Sequence, residues 1–249
     1  MELLFVFIFG ALIGSFLNVV IIRIPRDESI AFPASHCMHC NTPLKVWHNV
    51  PVISWLMLRG KCAFCGEKIS LQYPMIELFS ALIFLFSAMK FGFTLQAFGI
   101  ALTFDLLLAL SAIDYRYKMV PDSLNLGALS VAVFSVTSFA QLGYNITNAL
   151  LFAGGFSLLR FYVSYIIKKE AMGEADIMIA ATMGALLGIK LGLVAIFFGA
   201  VLALPALVLT RDESDESKEL PFIPFLAMGC WIVLMFDSYV NNYLVGIYG

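Results

Sequence analysis

Two patterns in this 249-residue chain could do chemistry. Cys37-x2-Cys40 is answered, after twenty-one intervening residues, by Cys62-x2-Cys65. Each C-x2-C pair closes a tight turn that aims two thiolates at one point, and two such turns complete a tetrahedron suited to Zn2+. Asn41 and Gly66, each just after a pair, suit the turn backbone. Four thiolates leave no open coordination position, so the expected metal is structural. About fifty residues with few apolar core candidates need such a staple to fold. His36, His39 and His48 lie nearby and one could replace a thiolate, although each is expected to be an exposed polar side chain. Cys230, in an apolar run, is expected to be an ordinary packed cysteine.

The second pattern is a set of acids inside apolar runs: Glu77, Asp105, Asp114, Asp176 and Asp237. A charged group at membrane depth costs several kcal/mol, so each asks for a reason. Asp114 and Asp176 stand out because both fall at the ends of apolar runs on the same side, within "AIDYRYKMVPD" and "MGEADIM". If those runs are neighbours, the two carboxyls meet. Such a pair cannot comfortably ionise twice and shares a proton. An ionised carboxylate then activates water against a peptide carbonyl, while its protonated partner polarises that carbonyl and protonates the leaving amine. No G-x-S-x-G or H-E-x-x-H offers a rival. Asp105 lies nine residues before Asp114, half a rotation away on a straight helix, so the two cannot face one site. Glu77, Asp105 and Asp237 are assigned to interhelical hydrogen bonding, and Asp122 to capping the helix it opens.

The elements that must position these groups are membrane helices. The chain is 61% hydrophobic and 13% charged, whereas a soluble domain is roughly 45–50% apolar and about 25% charged. Basic residues are few and form no stripe, so nucleic acid is not an expected partner; the bilayer is. The opening "MELLFVFIFGALIG" has no basic n-region and no small-residue cleavage site, so the first run is expected to be a permanent span. Hydropathy gives about eight spans, at 3–24, 74–91, 95–113, 123–142, 146–167, 175–189, 191–210 and 222–245, with "KFGFT" and "GIKLG" as tight hairpins. A seven-span variant makes one hairpin re-entrant.

Numbered alternately, the loops on one side hold twelve of the fifteen Lys and Arg, the other side only Lys90 and Lys190, and Arg160 lies inside a span. The positive-inside rule then puts the cysteine region and the acidic loop "RDESDESKEL" in the cytoplasm and both termini outside. In that reducing compartment the cysteines are not expected to pair as disulfides. The expected architecture is an all-α polytopic membrane protein: a first transmembrane helix (1–24), a cytoplasmic four-cysteine zinc module (25–73) and a transmembrane catalytic region (74–249).

"GSFLNVVIIRIP", the paired C-x2-C enclosing "WHNVPVISWLMLRGKC", "ISLQYPMIE", "AIDYRYKMVPD" and "MGEADIM" follow the order found in type IV prepilin peptidases, which the chain resembles over nearly its whole length. The resemblance implies an eight-span aspartic endopeptidase of the bacterial cytoplasmic membrane. Such enzymes remove the leader of type IV prepilins, or of type II secretion pseudopilins, after a glycine. Many then methylate the new amino terminus with S-adenosylmethionine. Carried over by motif, the catalytic pair is Asp114 and Asp176, and Cys37, Cys40, Cys62 and Cys65 are zinc ligands. No residue is assigned to the methyl donor: "GALIGS" lacks the G-x-G-x-x-G pattern and any βαβ context. Where the family has G-x-G-D, this chain has Gly173-Glu174-Ala175-Asp176. Alanine resists positive φ, so the loop must reach its geometry with ordinary dihedrals. Two readings from other classes remain: a proton-coupled transporter with buried acids as relays, and a non-catalytic pilus or secretion assembly protein.

Overall fold

The computed structural model describes residues 1–170, 172–210 and 221–248; the expected acidic loop "RDESDESKEL", with Arg211 and Lys218, lies outside the described residues. The chain is helical: α1 (Glu2–Arg23), α2 (Ile53–Met57), α3 (Gln72–Phe91), α4 (Leu95–Tyr117), α5 (Asp122–Phe134), α6 (Phe139–Ile167), α7 (Glu174–Thr210), α8 (Ile223–Met235) and α9 (Asp237–Tyr248). The β-structure among the described residues is two isolated bridges. Five helices, α1, α3, α4, α6 and α7, are long and apolar enough to cross a bilayer, and α8 with α9, bent by 79°, makes a sixth if taken as one span. The chain is a multi-pass membrane protein.

It divides into two compact units, Met1–Ala101 and Leu102–Gly249. In the first, α1 packs on α3 with almost no space between backbones. A Cβ on Gly14 would lie 2.7 Å from the Glu77 Cα, and one on Gly10 would lie 2.9 Å from the Ala81 Cα. This is the use of a G-x-x-x-G stripe in a membrane, where close van der Waals approach replaces the hydrophobic drive. Ser80 Oγ donates to the Gly10 carbonyl at 2.6 Å, and Asn18 Nδ2 to the Tyr73 carbonyl at 3.1 Å. Glu77 accepts from the backbone N–H of Val52 at 2.7 Å and from the Ser15 hydroxyl. The expected interhelical role of Glu77 is therefore met through Ser15 of α1, and it also tethers the loop below.

In the second unit, small residues again set the spacing: Ala132 of α5, Ala149 of α6 and Ala181 and Ala185 of α7 form one buried cluster. The expected span 123–142 is not continuous. α5 stops at Phe134, and Ser138 starts α6 by accepting from the Gln141 N–H at 3.3 Å, while Gln141 Oε1 accepts from the Thr137 N–H at 2.9 Å. Both glycine hairpins appear, with left-handed backbone at Gly92 (φ 72) and Gly188 (φ 70). Gly188 breaks α7. On either side of it, Cβ atoms at Gly184 and Gly192 would lie 2.7 and 2.6 Å from one ring, that of Phe152. A straight helix would hold these glycines roughly 12 Å apart, so the chain doubles back at Gly188. The returning arm packs on α8, where a Cβ on Gly229 would lie 2.7 Å from the Gly199 nitrogen.

Candidate active site and metal centre

The metal centre is built from two nearly identical turns. Cys37 N–H donates to the Thr42 carbonyl at 3.0 Å and Asn41 N–H to the Cys37 carbonyl at 2.8 Å; Cys62 N–H donates to the Glu67 carbonyl at 2.8 Å and Gly66 N–H to the Cys62 carbonyl at 3.0 Å. Each turn closes on a residue of positive φ, Asn41 (53°) and Gly66 (73°). These are the two positions expected from their residue types. Bridges His36–Pro43 and Lys61–Lys68 pin the mouths of the turns. The four Sγ atoms all lie within 4.8 Å of one another, and Cys37 and Cys65 are 3.9 Å apart. A tetrahedron of zinc–sulfur bonds of about 2.3 Å has edges of roughly 3.8 Å, so the donor set fits the metal.

Charge supports the fit. The Thr42 hydroxyl and backbone lower the Cys40 thiol to about 6, and the backbone N–H groups of Cys65 and Phe64 lower Cys62. At Cys65 the Glu67 backbone pulls down, but desolvation and the neighbouring sulfurs outweigh it and push the thiol up to about 12. Thiolate charge thus accumulates until a further one is resisted, which is the condition a dication relieves. Among the described residues no histidine joins the four sulfurs: His36 Nδ1 lies 3.1 Å from the Ala34 carbonyl, and His48 packs edge-on against Trp47 and Phe64. Cys230 is fully buried within α8, as expected.

The two aspartates named from sequence lie in one compact unit, Asp114 near the end of α4 and Asp176 at the start of α7. Asp114 lies near the end of α4, which closes when Lys118 adopts φ 51 and donates its N–H to the Asp114 carbonyl at 2.9 Å. Its side chain is 9% exposed and accepts from the N–H groups of Ile223, at 3.2 Å, and Phe222. These donors open α8, where first-turn N–H groups lack intrahelical partners. Asp176 lies in the first turn of α7, half-buried, and reaches back to the N–H of Gly173. Gly173 precedes the helix and Asp176 is its third residue, so this is half of a capping box. The charge of Asp176 is near enough to act on Asp114.

Ala175 resolves the departure from G-x-G-D. Neither it nor Gly173 has positive φ, and Ala175 is an ordinary second residue of α7. The first glycine has a steric reason instead: a Cβ there would sit 3.3 Å from Asp176 Oδ2. Asn125, in α5, is completely buried and donates to the Ala175 carbonyl at 3.1 Å. Arg160 of α6 reaches Glu174 at 3.1 Å and Glu170 at 3.6 Å.

Asp105 is buried within α4, and Asp237 accepts from the Ser238 N–H and hydroxyl where α9 begins. Asp122 is not a cap. Pro121 holds the cap position and Asp122 is the first helical residue, where its charge complements the helix dipole.

Residues 101–208, which hold both aspartates, match the type IV leader peptidase family, and residues 8–91, which hold the four cysteines, match the bacterial peptidase A24 N-terminal domain. The chain is 34% identical to a prepilin leader peptidase/N-methyltransferase of Aeromonas hydrophila, over 96% of this chain and 92% of that one. The chain belongs to the type IV leader peptidase family. Similar relatives include a prepilin leader peptidase/N-methyltransferase of Stutzerimonas stutzeri (34% identity, 95% and 92% covered) and a type 4 prepilin-like proteins leader peptide-processing enzyme of Escherichia coli O78:H11 (33%, 88% and 88%). No solved structure matches. Within the leader peptidase family, sequence reasoning missed three groups around the pair: the Phe222–Ile223 donors, the Gly173 contact and Asn125. Asn125 alone carried a signal, as an amide inside an apolar helix.

Proposed function

We propose that this enzyme is an aspartic endopeptidase that removes the leader of type IV prepilins or type II pseudopilins, after a glycine, at the cytoplasmic face of the inner membrane. Asp114 and Asp176 are its catalytic pair. What supports this reading is that Asp114 and Asp176, sixty-two residues apart in sequence, lie in one compact unit, with the charge of Asp176 acting on Asp114. In this reading the two carboxyls hold one proton between them. The ionised member takes a proton from water as that water attacks the scissile carbonyl. The protonated member hydrogen-bonds the carbonyl oxygen and then protonates the departing amine.

The reading takes eight crossings. α7 supplies two through the turn at Gly188, α5 is a short one, and α8 with α9 is the last. The distribution of Lys and Arg then sets the cysteine module and both aspartates on the cytoplasmic side and the termini outside. By role, residues 1–24 anchor, 25–73 form the metal module and 74–249 the peptidase region. Zn2+ held by Cys37, Cys40, Cys62 and Cys65 would fix the fold of the module; the four thiolates leave it no place for substrate.

N-methylation of the new amino terminus with S-adenosylmethionine is proposed from the names of the relatives. The described residues form no glycine-rich βαβ cradle for such a donor, and no step is assigned through it.

Co-expression with candidate prepilins and pseudopilins, with mass spectrometry of the mature amino terminus, tests all of this. The expected product starts one residue past a glycine, and Asp114→Asn and Asp176→Asn leave the leader in place. Normal processing by either variant would remove the pair from the mechanism.

A further inference from the structure

We infer that Asn125 is a positioning residue for the carboxyl pair, locking the first turn of α7 to the start of α5, the helix that follows Asp114 in the chain. The inference rests on the peptidase reading and adds a third residue to it.

Asn125 lies between Leu124 and Leu126, early in α5, with no exposed surface. A buried amide is tolerated where both of its ends are hydrogen-bonded. This one is used by half. Nδ2 donates to the Ala175 carbonyl at 3.1 Å, and Oδ1 is buried with no hydrogen-bond partner among the described residues. The Ala175 carbonyl has little need of the bond, because a carbonyl in the first turn of a helix accepts from the N–H four residues on. In terms of satisfied polar groups, an apolar side chain of similar volume would serve the fold at least as well.

The contact matters for its place. Four residues separate the end of α4 from the start of α5, so Asp114 and Asn125 lie eleven residues apart on consecutive helices. Ala175 immediately precedes Asp176. One hydrogen bond therefore joins the segment bearing one catalytic carboxyl to the segment bearing the other. The neighbouring contacts act within one side of the pair: Gly173 N–H orients the Asp176 carboxylate inside its own helix turn. With alanine at 175, where the G-x-G-D pattern has glycine, the turn is an ordinary helix start. Its separation from α4 is then set by packing and by this bond.

The test uses full-length enzyme in detergent or nanodiscs, with a prepilin that the wild type cleaves. Asn125→Leu fills the volume without the bond; Asn125→Ser removes the bond and leaves a gap. Both are expected to lower kcat by about tenfold or more, as sub-ångström misplacement of reacting groups does, with KM within about threefold. Tm should stay at or above the wild-type value for Asn125→Leu and fall for Asn125→Ser, so that activity follows the bond and stability follows the volume. Full activity in both variants would overturn the inference and leave the peptidase reading intact. So would an Asn125→Leu protein that unfolds, or whose activity falls only as far as its stability does. Failure of the wild type to cleave any prepilin would sink the peptidase reading itself, and the role of Asn125 with it.

Discussion

Oδ2 of Asp114 accepts a hydrogen bond from the backbone N–H of Ile223, 3.2 Å away and 109 residues along the chain. The start of α8 thus holds one carboxyl of the proposed pair, and that carboxyl in turn serves N–H groups that would otherwise be buried without partners. The two jobs separate by mutation. Asp114→Asn keeps an oxygen for Ile223, so it should fold with near wild-type thermal stability while cleaving nothing. Asp114→Ala leaves the Ile223 N–H, and that of Phe222, unserved. It should lose about 1–3 kcal/mol as well as activity, measured by thermal denaturation in detergent. Equal stability of the two variants would show that α8 does not depend on this contact.

The two small residues of Gly173-Glu174-Ala175-Asp176 should respond differently. Gly173→Ala places a methyl 3.3 Å from Asp176 Oδ2, so the carboxylate must shift by a few tenths of an ångström. A loss of about 10- to 100-fold in cleavage rate is expected, on the scale of a small misplacement of a reacting group. Ala175→Gly only relaxes a helical residue and should stay within about an order of magnitude of wild type. A reversed ranking, measured as initial rates on one substrate, would mean that position 175 carries the strain.

Close backbone approach makes Gly14 intolerant of any side chain. Its Cβ would meet the Glu77 Cα at 2.7 Å, where nothing flexible can move aside. Gly14→Ala should destabilise the first unit by about 1–3 kcal/mol through overpacking. Gly154→Ala, where a Cβ meets nothing within 4 Å, should be neutral or gain up to about 1 kcal/mol from helix propensity. Thermal unfolding of the two variants side by side checks the contrast.

Purified enzyme should carry about one zinc per chain by elemental analysis, lost when Cys37 and Cys40 are both changed to serine. Structural zinc is worth roughly 10–16 kcal/mol to small isolated modules, so the segment between α1 and α3 should then be cut readily by protease. The spans should persist, because their backbone hydrogen bonds are internal. A protected segment in metal-free protein would mean that the module folds without its staple.

Local features were legible from the sequence alone. The metal turns could be foreseen because C-x2-C fixes its own geometry within five residues, and Asn41 and Gly66 were the only residues there suited to positive φ. The apolar runs marked the helices, since backbone groups in lipid must bond within their own segment. The glycines in "KFGFT" and "GIKLG" marked the reversals. The break between α5 and α6 escaped because Val136 and Phe139 keep the stretch apolar, and a serine cap decides it. Two aspartates at helix ends could be named as a pair, but their meeting depends on which helices are neighbours, and hydropathy is the same for every arrangement of the bundle. Only the tertiary structure brought the opening turn of α8 to Asp114, Asn125 to Ala175, and α1 within backbone contact of α3. Those are contacts between segments far apart in the chain, set by the packing of small residues that in sequence look like any other greasy run.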